Sequence, residues 1–348
     1  MRWDRYTIRR KVNSFSRRAG WTWAPAFPIR AWIAPTSRCN LRCRTCYVHT
    51  PGTNYSHEDM KPEVYERVRR ELLPSLQEVH LGGAGEPFLA PIFYEMLSDM
   101  FELGKRITVV TNGTISRPEY LERMVRSPGV VMISIDGTTA DVMDRIRPGA
   151  RLDRVLDFMK TVKEMMDRSV HPAFEFQISF VVTRSNVGQL TDCVELAHRY
   201  GVRTVAFSSF LTGGRTDEFA VEESLMNQPE QVLPHWERAR RRGLELGINV
   251  PPMVFDCRDR PEAEQQKWQP TLYGPSGRIR QCPLPWWNTY IETDGSVRPC
   301  CIFPPIGNLL EGSFGDVWNG PGYRELRRTV NTPEMPNHCK QCFMPVRI

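Results

Sequence analysis

The sequence has no apolar run near the roughly 18 residues that a bilayer-crossing helix needs, so a membrane-spanning helix is excluded. It also lacks an apolar segment behind its basic N-terminus (Arg2, Arg5, Arg9, Arg10, Lys11, Arg17, Arg18). That absence argues against a secretory signal, and Ala19-Gly20-Trp21-Thr22-Trp23 is too short and polar to make Arg17-Arg18 a twin-arginine signal. Cytoplasmic location is the expectation. There is no internal repeat, no low-complexity tract and no interleaving of aromatic with basic residues. Nucleic-acid and membrane partners are therefore not expected. Charge of one sign is in modest surplus, with a formal net charge of +6 over 348 residues. A solvated basic surface explains this, as does attraction to an acidic electron donor or an anionic substrate.

Cysteine is what the chain has in plenty. Ten in a chain without a secretory signal favour metal or catalysis over disulfides. Three sit at Cys39, Cys43 and Cys46, and five at Cys282, Cys300, Cys301, Cys339 and Cys342. Only Cys193 and Cys257 lie between. Two separated thiol groups suggest two metal centres. Cys193, flanked by Leu190 and Leu196-Ala197, reads as core.

Between the two groups the chain alternates short apolar runs with amphipathic stretches. The runs Ile29–Ala34, Val79–Leu81, Ile107–Val110, Val130–Ile133, Phe176–Val182 and Val202–Phe207 read as buried parallel strands. Residues 62–76, 93–103, 117–126, 152–166, 189–200 and 230–246 read as helices, with Ser116 before Pro118 as a cap signal and Gly104, Gly201 and Gly247 as stops. Six strand–helix units give a parallel α/β architecture with fewer units than a full barrel, and the pattern leaves open whether the sheet closes. Residues 247–280 read as a linker. Residues 281–348 show little helical pattern and a weak core, so a metal is expected to help them fold. A hairpin turning at Asp294-Gly295 is the exception.

Three thiolates on one loop after the first strand can hold three irons of a 4Fe–4S cube and leave the fourth iron open, although Cys43 and Cys46 also suit zinc with two distant ligands. Further motifs stand at successive strand ends: Gly85-Glu86-Pro87, Thr111-Asn112-Gly113, Ser134-Ile135-Asp136-Gly137, then Arg145-Ile146-Arg147-Pro148-Gly149. Glycines there admit a ligand close to the backbone, and buried Glu86 could accept from an ammonium group.

With these motifs the chain resembles the radical S-adenosylmethionine superfamily. The resemblance implies a partial (β/α)6 barrel of the TIM type, with Cys39, Cys43 and Cys46 holding a 4Fe–4S cluster. It implies that Gly85, Glu86, Pro87, Asn112, Ser134 and Asp136 contact S-adenosylmethionine. Thr45 stands where the family usually has an aromatic residue, and Tyr47 could substitute beside the adenine. The later cysteines resemble the accessory region called SPASM, in its shortened single-cluster form called twitch, with Cys282, Cys300, Cys339 and Cys342 holding a second 4Fe–4S cluster. The implied organisation is a basic extension (1–29), the barrel (30–246), the linker (247–280) and a small cysteine-rich domain (281–348). The implied reaction is reductive cleavage of S-adenosylmethionine to a 5′-deoxyadenosyl radical, which takes a hydrogen atom from substrate. A flavodoxin- or ferredoxin-type donor would supply electrons to a monomeric oxidoreductase.

Only 38 residues precede Cys39, too few for a leader-binding domain, so the expected substrate is a small hydroxylated sugar or aminocyclitol that is dehydrogenated. Epimerisation is the first alternative, with Cys257 or Cys301 as hydrogen donor. Peptide modification, decarboxylation and a non-catalytic iron–sulfur sensor are the others. Trp286, Trp287 and Tyr290 are expected to pack the small C-terminal domain onto the barrel, with one of them a candidate to line the substrate pocket.

Overall fold

A computed structural model describes residues 5–49, 56–212, 215–253, 282–340 and 342. The chain divides into two compact units, one of Met1–Arg38, His57–Thr108 and Thr271–Ile348, the other of Cys39–Ser56 and Val109–Pro270. We call them the outer-segment unit and the central unit.

In the outer-segment unit the core strand is β1 (Arg30–Ile33), which runs parallel to both β2 (Glu78–Leu81) and β7 (Asn288–Ile291). The C-terminal cysteine region thus adds its first strand beside the first strand of the repeat. The expected hairpin is present: β7 pairs antiparallel with β8 (Ser296–Arg298), which pairs with β9 (Gly307–Asn308). Gly295 closes the turn at φ 88, in the left-handed region that favours glycine.

Strand β3 (Arg106–Thr111) contributes residues to both units. In the central unit β4 (Gly129–Ser134), β5 (Phe174–Val182) and β6 (Thr204–Ser209) form a parallel set, with Ile133 opposite Ile178 and Ile178 opposite Val205. All three side chains are fully buried. Strands β1 to β6, each followed by helical segments, supply the six strand–helix units.

The helices are α1 (Arg5–Arg18), α2 (Pro62–Arg67), α3 (Ile92–Glu102), α4 (Pro118–Val125), α5 (Ala140–Ile146), α6 (Leu152–Arg168), α7 (Leu190–Arg199), α8 (Glu218–Glu223) and α9 (Pro229–Leu246). Then come α10 (Leu284–Trp287), α11 (Phe314–Trp318), α12 (Pro321–Thr329) and α13 (Asn337–Lys340). Several differ from the sequence-based expectation. The helix expected over 62–76 ends its α-turns at Arg67 and passes through a π-turn and a 3₁₀ turn, where Pro74 has no N–H to donate. The cap of α4 is Arg117, without a side-chain hydrogen bond, and Ser116 does not serve. The basic extension is not featureless, since α1 packs with α10.

The region after Cys282 also has more core than expected. Ser313 and Asp316 form a capping box that starts α11, and Trp318, Tyr323 and Phe314 are fully buried. Arg327 packs against both Trp318 and Tyr323, its guanidinium 4.4 Å and 5.0 Å from the two ring centroids. Burial lowers its pKa to about 10. Its donors reach the carbonyls of Pro285 and Thr22 at 3.0 Å each, which satisfies part of a group costly to bury alone. The expected linker 247–280 lies, from residue 254 onward, outside the described residues, as does Cys257.

Candidate active site

The loop carrying Cys39, Cys43 and Cys46 belongs to the central unit and is shaped by backbone bonds. The Arg44 N–H donates to the Ile146 carbonyl at 2.9 Å, and the Cys46 N–H to the Cys43 carbonyl at 3.1 Å. Arg215 donates to the Arg44 carbonyl at 2.6 Å while paired with Asp217, and the Arg44 guanidinium lies 4.0 Å from the Phe219 ring centroid. Three arginine contacts therefore hold the loop from the α5 and α8 sides.

Each sulfur has N–H donors nearby. The Leu41 N–H donates to Cys39 Sγ at 3.5 Å and Asn112 Nδ2 reaches it at 3.8 Å. Arg147 Nη1 lies 3.6 Å from Cys43 Sγ, and the Val48 and His49 N–H groups donate to Cys46. Burial pushes the Cys43 thiol up to about 11, with Arg147 working the other way. Cys43 also senses the charges of Cys46 and Cys39.

Asp136 sits behind this arrangement. It is fully buried; Oδ2 accepts from Arg147 Nε at 2.6 Å and Oδ1 from the Val181 N–H at 2.7 Å. Burial disfavours the Arg147 charge, but Asp136 and Cys43 outweigh it and raise its pKa. Gly137 is required because a Cβ there would come within 2.6 Å of the Met143 backbone nitrogen. Asn112, 7% exposed, donates to Asn40 Oδ1 at 2.9 Å, and half-buried Ser134 ends β4. Tyr47 is 53% exposed on a short 3₁₀ turn. Cys193 is fully buried in α7 as expected.

The Gly85-Glu86-Pro87 segment is in the outer-segment unit. A Cβ on Gly85 would come within 2.2 Å of the Arg38 carbonyl oxygen and 2.8 Å of that of Thr36. No side chain fits between these backbones. The Glu86 N–H donates to the Arg38 carbonyl at 2.9 Å, and its buried carboxylate accepts from the Phe88 N–H at 3.3 Å, capping the turn Pro87–Leu89.

The C-terminal thiols also belong to the outer-segment unit. Cys282 is pushed up to about 12 by burial, moderated by the Leu284 N–H, and it senses Cys300, Cys342 and Cys339. Cys300 is raised by burial while receiving the Ile302 and Phe303 N–H groups. Cys339 is likewise pushed up to about 12. Cys301 is exposed, interacts with Tyr290, and its thiol is pushed up to about 11 by desolvation. Tyr290 in turn stacks on Trp32 at 5.5 Å, and Trp32 on His80 at 4.4 Å. Trp286 is buried and donates to the Trp21 carbonyl at 3.1 Å.

Among the described residues no group of three or more His, Cys, Asp or Glu converges on a single ion. The donor chemistry nonetheless suits iron–sulfur clusters: soft sulfurs that share one electrostatic environment, with N–H donors aimed at them and the nearby carboxylate of Asp136 turned away. Family models agree. The radical SAM superfamily model matches residues 33–175 and an iron–sulfur cluster-binding domain, SPASM, matches 282–343.

The chain belongs to the radical SAM superfamily. It is a radical SAM enzyme whose cofactors are S-adenosylmethionine, the 4Fe–4S cluster that binds it, and auxiliary cluster chemistry in the SPASM region. It is 26% identical over 319 residues to the AdoMet-dependent heme synthase of Methanosarcina barkeri, covering 88% of this chain and 86% of the relative. It is 23% identical over 331 residues to the antilisterial bacteriocin subtilosin biosynthesis protein AlbA of Bacillus subtilis, covering 91% of this chain and 65% of that relative. Among solved structures it shares its fold with Streptococcus suis SuiB bound to the precursor peptide SuiA, with a TM-score of 0.68 and 17% identity over 92% of this chain and 70% of that one. The mixed α/β fold with its parallel sheet is that of the radical SAM partial barrel. Among the described residues no helix is long and apolar enough to cross a membrane.

Proposed function

We propose that this enzyme modifies a peptide by radical hydrogen abstraction followed by oxidation. The observation that carries this reading is the similarity to a bacteriocin biosynthesis protein over 91% of the chain. The fold shared with an enzyme that holds a precursor peptide supports it. The expected sugar or aminocyclitol substrate has no such support in these relatives, and the peptide takes its place here. A second reading, action on a heme-type macrocycle, is favoured by the heme synthase, most of whose length the chain covers.

When bound, the cluster and S-adenosylmethionine supply a carbon-centred radical that takes a hydrogen atom from substrate. The chain's own residues bind and orient. Cys39, Cys43 and Cys46 would hold the first cluster, with Arg147 and Asn112 donating to the sulfurs. Asp136 acts through Arg147, since both its oxygens are engaged inside the protein. Gly85 lets its segment lie against the Arg38 and Thr36 carbonyls, Glu86 would accept from the ammonium group, Ser134 would face ribose hydroxyls, and exposed Tyr47 would lie beside the adenine. Cys282, Cys300, Cys339 and Cys342 would hold an auxiliary cluster, leaving Cys301 as the spare thiol.

The test is anaerobic incubation of reconstituted enzyme with dithionite, S-adenosylmethionine and either a set of ribosomal precursor peptides or a porphyrin carboxylate. Formation of 5′-deoxyadenosine stoichiometric with a peptide lighter by two hydrogens supports the proposal. Turnover of the porphyrin alone overturns it in favour of the second reading.

A further inference from the structure

The outer-segment unit exposes an unusual stripe on α1. Ile8, Lys11, Phe15 and Arg18 follow one another at helical spacing and all are exposed. The opposite face carries Asn13, Ser16 and Arg17, which are buried. Ile8 is 50% exposed, Phe15 58%, Trp21 45% and Trp23 50%, and Phe15 and Trp21 meet edge to face at 5.3 Å. These four are among only eleven large hydrophobic residues exposed over the described chain, and they fall within sixteen residues of one another. The helix has six basic residues and no acidic one.

What lies underneath tells this patch apart from a solvated helix. The Trp21 carbonyl accepts from the buried Trp286 indole at 3.1 Å. Trp286 is in α10, whose Leu284 N–H donates to Cys282. Arg17, on the buried side of α1, acts electrostatically on Cys282 as well. A short bonded path thus runs from an exposed aromatic to a thiol of the auxiliary group.

We propose that the α1 face centred on Phe15 and Trp21 docks an acidic, low-potential electron-transfer protein, which exchanges electrons at the centre held by Cys282. One electron leaves the reduced centre held by Cys282, which took it from the oxidised substrate, and one is gained by the oxidised flavin or iron–sulfur group of the partner; no atom or proton changes hands. Clustered positive charge steers an acidic partner and sets its on-rate, while exposed aromatics at the middle of the patch give the contact energy. An anionic membrane would satisfy the charge and the aromatics, but would give no role to the path to Cys282. The proposal rests on the cluster assignment and not on the substrate class.

The probe is a purified acidic flavodoxin, titrated anaerobically against the reconstituted enzyme at low and high salt. The double variant Arg10→Glu/Lys11→Glu changes exposed residues outside the catalytic machinery. It should weaken flavodoxin binding about tenfold or more and flatten its salt dependence. Dithionite-driven cleavage of S-adenosylmethionine should be unchanged. Arg240→Glu/Arg241→Glu on α9 alters net charge equally and should leave binding intact. Phe15→Ser should weaken binding at all salt concentrations. Equal weakening by the α9 variant, no weakening by the α1 variants, or capture of the enzyme by phosphatidylserine vesicles without flavodoxin binding would each overturn the proposal.

Discussion

Asp136 holds Arg147 by a 2.6 Å bond inside the protein, and Arg147 in turn lies 3.6 Å from Cys43 Sγ. The carboxylate at the end of β4 therefore supports the cysteine loop through an arginine rather than by facing a ligand. A buried pair of this kind is costly to break from one side, because the remaining charge is uncompensated. Arg147→Met should lower stability by about 3–5 kcal/mol. Asp136→Asn should lower it less, since the amide oxygen still accepts, while leaving the arginine unneutralised. Denaturant unfolding of the apoprotein measures both, free of any change in cluster content. Equal stability of wild type and Arg147→Met would show that the pair supports nothing.

The two thiol groups should fail differently when removed. Cys39→Ala/Cys43→Ala/Cys46→Ala should halve an iron content of about eight per chain, by four irons per cube, and abolish formation of 5′-deoxyadenosine. The fold should survive, because the loop is also held through Arg44 and Arg215. Losing Cys282, Cys300, Cys339 and Cys342 should lower solubility as well as iron, since cluster binding there is coupled to folding. The buried Trp318, Tyr323 and Phe314 set a limit on that loss. Iron and sulfide analysis of the soluble fraction, alongside circular dichroism, separates the outcomes. Zinc in the C-terminal region would remove the auxiliary iron–sulfur cluster.

Strands β1 to β6 were legible because their apolar runs match buried parallel strands nearly residue for residue, and the turn at Gly295 because a hairpin demands that geometry. The cysteine loop and the motifs at the strand ends were legible through the family resemblance they carry together, since spacing alone left zinc open at the loop. Much of what holds them was not. Helix α12 is mostly polar in sequence, and its inward face includes Arg327, which is stabilised by rings and carbonyls from distant segments. Arg215 carries no sequence signal, since its role depends on reaching the carbonyl of Arg44 across 171 positions. The carboxylate of Asp136 was readable as a site residue, but its partner was not, because the bond to Arg147 is tertiary. Ser116 looked like a helix cap by type and position, yet Arg117 takes the place in the fold.

Gly85 should be intolerant of any side chain. Its position is set by two carbonyl oxygens, at 2.2 Å and 2.8 Å from where a Cβ would stand, and neither belongs to a flexible side chain. Gly85→Ala must push the Gly85-Glu86-Pro87 segment away from Arg38 and break the Glu86 N–H bond to that residue. The expected cost is about 1–3 kcal/mol, the usual range for overpacking. Affinity for S-adenosylmethionine should fall with it, because Glu86 moves as part of the same turn. Equilibrium dialysis with labelled S-adenosylmethionine and thermal unfolding report the two effects. An alanine variant with unchanged melting temperature and affinity would contradict the packing that the fold shows here.

The last prediction concerns the fate of the substrate after hydrogen abstraction, which every motif above leaves common to oxidation, epimerisation and decarboxylation. Oxidation requires an electron to leave and nothing to return to the carbon, and the C-terminal thiol group supplies a place for that electron. Epimerisation requires a hydrogen atom from the opposite side, and Cys301, which interacts with Tyr290, is the described thiol outside both proposed ligand sets except buried Cys193. We expect oxidation, because Cys301 already interacts with Tyr290 and adjoins Cys300, which would be a cluster ligand. Turnover in deuterated water decides the matter. A product lighter by two hydrogens and free of solvent deuterium at the reacting carbon is the expected result, and Cys301→Ala should then retain activity. An isomeric product carrying one deuterium, lost in Cys301→Ala, would make the enzyme an epimerase. A product short of carbon dioxide would instead mean that an electron is supplied to finish the reaction rather than removed.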